Sequence, residues 1–215
     1  MLSIKIKDIT FNSPIIAASG TFGYGYEVKD IVNLNKIGCI ITKSITFESR
    51  EGNPQPRIHE SSSGMLNAIG LANVGVNKFC SDKLPKLDNL ETNVIISIAG
   101  SSIEEYVNIL KIIEHSNGKH IGYEINISCP NIKKGGMEFG INSEITKKLT
   151  QTLRVLTDKI LIIKLSPNVT SIEDIALAAE SGGADMISAV NTFLGTAIDY
   201  KTGKFSLSSK FGGLS

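Results

Sequence analysis

The stretch Ile121 to Asn131, IGYEINISCPN, opens as an apolar run and closes as a cluster of polar side chains. Ile121 to Ser128 has the length and the isoleucine content of a strand buried on both faces. Side chains alternate along a strand, so Asn126 and Ser128 share one face. Pro130 removes a backbone donor and ends the strand, which leaves Cys129 at the start of a loop. A buried strand that delivers polar groups at its C-terminal end is how parallel α/β sheets present ligand sites.

The same unit recurs on both sides of this stretch. Pro14 to Ala18, Gly38 to Lys43, Val94 to Ala99, Ile160 to Ser166 and Met186 to Asn191 read as further short buried strands. Between them Ser102 to Ser116, Ser143 to Thr157 and Ser171 to Ser181 have helical periodicity. Ser102 is expected to cap the first of these, with Glu105 completing a capping box. The alternation predicts an α/β domain with a parallel sheet. Ser19, Lys43, Asn126 with Cys129, Lys164 and Asn191 all fall at or just past strand C-termini. Five contributing strands suit the closed rim of a (β/α)8 barrel better than the single switch point of an open sheet.

Two long excursions interrupt the rhythm, Thr46 to Leu71 and Phe193 to Ser209, the second with a hairpin turn expected at Asp199 to Lys204. Excursions of this length in a compact domain are usually functional. The 215 residues allow one domain, and 41% apolar with 20% charged residues is a globular mixture. A net charge of +1 offers no footprint for nucleic acid. No apolar run reaches bilayer length, and the first twelve residues read as neither a signal peptide nor an anchor. Three cysteines make no disulfide framework and point to a reduced, cytoplasmic setting. Cys39 and Cys80 sit in apolar contexts and read as inert. His59, His115 and His120 lack ligand spacing, so no metal is assigned; His115 and His120, flanking a helix end, are expected to be solvated.

The rim residues have a joint chemistry. A lysine at a strand end pairs with a structural carboxylate or faces a ligand; Lys43 and Lys164 together favour an anionic ligand or an electron-rich ring. Asn67, Asn126 and Asn191 carry both donors and acceptors, as recognition of a flat ring with amide edges requires. Cys129 is flanked by polar groups where a thiol can exchange protons. The loop Asn131 to Gly140, with Gly135-Gly136, could hinge over the site.

These residues resemble the class 1 dihydroorotate dehydrogenases, more closely their B type. The matching stretches are Ala18 to Gly23, Thr42-Lys43-Ser44, Gly52 to Arg57 (GNPQPR), Gly64 to Leu71 (GMLNAIGL), Asn126 to Asn131, Lys164 to Asn168, Asn191-Thr192 and Gly212 to Ser215. They are collinear and cover essentially the whole chain. The NPxPR and GMLNAIGL stretches favour type B. The resemblance implies an FMN-dependent (β/α)8 oxidoreductase of pyrimidine biosynthesis that oxidises dihydroorotate to orotate. Cys129 would be the base at substrate C5, while the hydride leaves C6 for the flavin. Ser19, Lys43, Ser44, Ser97, Asn126, Lys164 and Val190 would contact FMN, Ser97 standing where the family usually has asparagine. Lys43, Asn67, Ala68, Ile69, Gly70, Leu71, Asn126, Asn191 and Thr192 would hold the substrate.

The resemblance also implies a homodimeric core joined by a subunit carrying FAD and an iron–sulfur cluster. This chain has neither an iron–sulfur cysteine set nor a GxGxxG fingerprint of its own. Residues 1–215 are expected to form a single FMN-binding barrel domain with about six of the eight strands, incomplete at the C-terminus. The alternatives are a related FMN barrel of the dihydropyrimidine dehydrogenase kind and an inactive truncated remnant. Dihydrouridine synthases share an Asn-x-x-Cys-Pro run, but their tRNA substrate would favour a basic surface.

Overall fold

The computed structural model describes residues 2–128 and 139–215. Cys129, Pro130 and the loop through Glu138 lie outside the described residues. In chain order the strands are β1 Ile4–Ile6, β2 Ile9–Phe11, β3 Ile16–Ala17, β4 Cys39–Ile41, β5 Ile58–Ser61, β6 Gly64–Asn67, β7 Asn93–Ala99, β8 Gly122–Asn126, β9 Ile160–Lys164, β10 Met186–Ser188, β11 Phe193–Gly195 and β12 Gly212–Leu214. The helices are α1 Val76–Lys78, α2 Leu84–Leu87, α3 Ile103–His115, α4 Ser143–Arg154 and α5 Ile172–Ser181. No helix among the described residues is long and apolar enough to cross a membrane.

β3, β4, β7, β8, β9 and β10 line up in sequence order as one parallel sheet of six strands, the sheet of a partial (β/α)8 barrel. All six were legible as apolar runs. Strand parity divides their side chains between two layers. Val94, Ile96, Ile98, Tyr123, Ile125, Leu161 and Ile163 face outward and pack beneath Ile109, Leu110 and Ile113 of α3 and Leu149 and Leu153 of α4. Cys39, Ile41, Ile95, Ile160 and Ile162 face inward, and Phe11 of the N-terminal hairpin β1–β2 packs against them. Each fully buried aliphatic side chain contributes about 1.5–3 kcal/mol. Higher on the inward face the side chains turn polar: Ser97, Glu124, Asn126 and Lys164.

Helix starts follow their caps. The Ser102 hydroxyl accepts from the Glu105 amide at 3.1 Å, as the sequence predicts. The reciprocal half differs: the Glu105 carboxylate takes the Ser101 amide at 2.7 Å and the Ser101 hydroxyl at 2.5 Å. Asn142 and Ser171 cap α4 and α5 in the same manner. α1 and α2 are joined by a π-helical turn, Phe79–Lys83, which precedes the Pro85 that lacks an amide hydrogen. Periodicity gave no sign of this segment.

The two excursions are one structure. β5 and β6 form a hairpin, β12 pairs with β6, and β11 pairs with β12, making a four-stranded antiparallel sheet. The Asp199–Lys204 turn forms, with the Asp199 amide donating to the Lys204 carbonyl at 2.9 Å and an antiparallel bridge between Ile198 and Phe205.

The expectation that His120 is solvated is wrong. It is 4% exposed, stacks edge-on against Tyr123 with ring centroids 4.9 Å apart, and its Nε2 lies 2.8 Å from the Tyr123 hydroxyl. The turn after α3 folds it under the helix rather than out to water. His115 is exposed, as expected.

Candidate active site

Three parallel strands converge on one polar cluster. Asn126 at the end of β8 is 8% exposed, and its backbone carbonyl accepts the buried Tyr106 hydroxyl of α3 at 2.7 Å. That bond, made from the outer layer, fixes the end of β8 from behind. On the inward side Asn126 Nδ2 lies 3.5 Å from Ser44 Oγ, and its Oδ1 accepts from Asn191 Nδ2 at 3.1 Å. Asn191 Oδ1 in turn accepts the Thr192 amide at 2.8 Å.

A column of hydroxyls runs below. Ser44 Oγ lies 2.9 Å from Ser97 Oγ, and Ser97 Oγ lies 3.3 Å from Glu124 Oε1. A carboxylate only accepts, so Ser97 gives its hydrogen to Glu124 and receives one from Ser44. Ser19 donates to the Thr42 carbonyl at 2.8 Å and stands 3.4 Å from Ser44 Oγ. Ser97 is fully buried and its one hydrogen is spoken for; its hydroxyl supports Ser44.

The two lysines differ. Lys164 Nζ is 3.6 Å from Glu124 Oε1, with side chains 12% and 1% exposed. The structural-carboxylate reading therefore has a partner for Lys164. Lys43 has no ion pair among the described residues and is half-buried. Burial and then the nearby Arg57 cation hold its ammonium below the usual lysine range. Arg57 itself is spent on backbone carbonyls, its Nε on Asn53 and an Nη on Glu51 at 3.1 Å.

The antiparallel sheet brings the second group of expected residues to the same rim. Asn67 Nδ2 donates to the Gly213 carbonyl at 3.3 Å, and Gly213 lies against Thr192 so closely that a Cβ would collide with its hydroxyl. Asn67 thereby reaches Thr192, Asn191 and Asn126 through successive contacts. Ala68, Ile69, Gly70 and Leu71 follow in a loop held by Asn53, whose amide donates to the Ile69 carbonyl at 3.1 Å and whose Nδ2 donates to Ala68 at 3.0 Å. Gly70 adopts φ +75°, where an L side chain is strained, and a Cβ there would sit 2.7 Å from the Asn53 nitrogen. Val190, next to Asn191, is 37% exposed.

Sequence reasoning missed Glu124. Its only sequence signal was a carboxylate inside an apolar strand, in phase with Asn126. Asn73, by contrast, is structural: it binds Thr46, Leu71 and Gly75. A separate cleft of about 580 Å³, lined by Pro167, Asn168, Ser171 and Asp174 among others, opens by the N-terminal ends of α4 and α5. It includes none of the expected site residues.

Known proteins resemble this chain along its length. The catalytic subunit of dihydroorotate dehydrogenase B (NAD(+)) from Bacteroides thetaiotaomicron is 46% identical over 214 residues, covering 100% of this chain and 70% of that protein. The corresponding subunit from Desulforamulus reducens is 45% identical over 214 residues with the same coverage. A crystal structure of DHODH in complex with ferulenol from Eimeria tenella matches with a TM-score of 0.72, over 100% of this chain and 65% of that one. At 21% identity that likeness concerns the fold alone. A family model described as dihydroorotate dehydrogenase matches residues 1–215. On the strength of that match and the identity to the bacterial subunits, this chain belongs to the dihydroorotate dehydrogenase family.

Proposed function

We propose that this chain carries the substrate- and flavin-facing part of a catalytic subunit that oxidises dihydroorotate to orotate. The observation that carries the reading is the hydrogen-bonded series Thr192, Asn191, Asn126 and Ser44, with Asn67 bonded to the Gly213 that packs against Thr192 and with Lys43 and Lys164 at the ends of the neighbouring strands. It supplies what a flat, amide-edged, acidic ligand needs: carboxamides for the edges and cations for the charge. The same polar set, hydroxyl acceptors together with the Asn126 amide and the Lys164 ammonium, also fits FMN. Ser19, Ser44, Asn126 and Lys164 are the residues that would hold it, and Lys43 would reach both ligands.

When bound, FMN supplies the two-electron acceptor. The chain's own residues do the rest. Lys43 receives the substrate carboxylate. Asn67, Asn126, Asn191 and Thr192 fix the ring edges, and the loop Ala68 to Leu71 closes one side. Lys164 would set its ammonium beside the flavin, where it would favour negative charge on the ring. Cys129, outside the described residues, keeps the role of base for the C5 proton. The relatives' designation as catalytic subunits, with NAD(+) in their names, supports a partner subunit that carries electrons onward from this site; FAD and an iron–sulfur cluster on that partner are what the family resemblance implies.

The competing reading is a barrel acting on an uncharged dihydropyrimidine. Lys43, a cation with a second cation nearby and no carboxylate partner among the described residues, favours an acidic substrate. The test is the absorbance of the protein loaded with FMN, followed by addition of dihydroorotate or dihydrouracil without oxygen. Bleaching by dihydroorotate alone is expected. Bleaching by dihydrouracil instead, or flavin that neither reduces, would overturn the proposal.

A further inference from the structure

Glu124 is a member of the network below the rim to which the site chemistry above gives no role. It lies on the inward face of β8, two residues before Asn126, with 1% of its surface exposed. Below it are Ile95, Ile160 and Ile162, an apolar floor. Its Oε1 meets Lys164 Nζ and accepts from Ser97; its Oε2 has no hydrogen-bond partner among the described residues. Stability does not explain it. A buried ion pair with one oxygen unsatisfied is on average no better than packed apolar side chains, because desolvation cancels the attraction. What a buried carboxylate does here is electrostatic. It is the sole ion-pair partner of Lys164 among the described residues, and it draws the hydrogens of Ser97 and Ser44 downward, away from the rim.

We infer that Glu124 is a positioning residue: it fixes the Lys164 ammonium at the rim and offsets its charge, and so limits how strongly the site favours a negatively charged ring. The inference rests on the reading that a flavin binds beside Lys164. With the Glu124 carboxylate beside it, the charge of Lys164 is partly offset and a ligand meets chiefly a directed donor. With Glu124 neutral, the ammonium acts as an uncompensated charge in a poorly hydrated site, where charges are weakly screened. A two-electron reduction that leaves negative charge on the ring then becomes easier.

Two measurements separate this inference from the functional reading. In flavin-free protein, trace acylation read by mass spectrometry reports how available the Lys164 amine is. Glu124→Gln should raise its labelling about tenfold relative to the other lysines, and Glu124→Asp should restore much of the protection. In protein loaded with FMN, Glu124→Gln should raise the equilibrium constant for flavin reduction at least tenfold, about 30 mV for a two-electron couple. Unchanged Lys164 labelling in Glu124→Gln would overturn the link between the two residues. Changed labelling with a flavin potential within threefold of the unsubstituted protein would overturn the charge-offset role. If the unsubstituted protein takes up no FMN, the functional reading fails, and the labelling still decides whether Glu124 governs Lys164.

Discussion

Acidification to pH 5 is expected to weaken the fold through His120, well away from the rim. The imidazole is buried near the C-terminal end of α3, its Nε2 lies within hydrogen-bond distance of the Tyr123 hydroxyl, and its Nδ1 has no hydrogen-bond partner among the described residues. Burial, reinforced by the Lys159 cation and opposed by Glu114, depresses its pKa from 6.5 to about 4. The neutral ring is therefore the folded form, while the unfolded chain protonates near 6.5. Stability from this group is complete above pH 6.5 and is lost as pH falls toward 4, since the unfolded state binds the extra proton in that window. At pH 5 the loss is about 2 kcal/mol, and across the whole window about 3 kcal/mol, at 1.36 kcal/mol per pH unit. For a chain of this size 2 kcal/mol lowers the midpoint of thermal unfolding by about 4–8 °C.

The assay is urea unfolding at several values between pH 7 and 4.5, on the unsubstituted protein and on His120→Gln, whose amide can still hydrogen-bond the Tyr123 hydroxyl. Other groups titrate nearby, Glu114 among them, held low by Lys159 and Thr157 against its own burial. The difference between the two proteins isolates the histidine. That difference should shrink by about 2 kcal/mol from pH 7 to pH 5. A constant difference, or an NMR titration placing His120 near 6.5, would refute the reasoning.

Three further outcomes are expected. Lys43→Met should lower kcat/KM for dihydroorotate about 10- to 150-fold, the worth of a charged hydrogen bond, with FMN still bound; steady-state kinetics beside flavin absorbance checks this. Tyr106→Phe should destabilise by about 1–2 kcal/mol by orphaning the Asn126 carbonyl, measured by chemical unfolding. Gly213→Ala should cost about 1–3 kcal/mol from overpacking and displace Thr192; heightened protease cleavage between residues 192 and 214, absent in the parent, would report it.

What the sequence disclosed was whatever has a local pattern. The central parallel strands β4, β7, β8 and β9 are apolar, isoleucine-bearing runs because both their faces are covered, and α3 announces itself through Ser102 while α4 and α5 follow from the periodicity of 143–157 and 171–181. The rim residues were legible because polar groups at strand ends stand out against that background. The misses have a common cause: they depend on distant partners. Nothing local says that Gly212–Leu214 will lie beside Gly64–Asn67, or that His120 will turn under α3. Pro85 hid a helix whose irregular turn absorbs it, and the short hairpin β1–β2 gains its purpose only from Phe11 sealing the inward layer. Glu124 was in full view, but its meaning rests on Lys164 in the next strand.

The antiparallel sheet carries a consequence for how the molecule comes to exist. β6 and β12 are separated by most of the polypeptide, and long-range pairings of this kind close slowly. During synthesis the six parallel strands leave the ribosome before Gly212–Leu214 does, so they are available to pair with one another before β6 can meet β12. Asn67 waits for the Gly213 carbonyl, and Thr192 for the glycine against which it rests. Disruption of the β6–β12 pairing would therefore reach the contacts of Asn67 and Thr192 before it reached the parallel sheet.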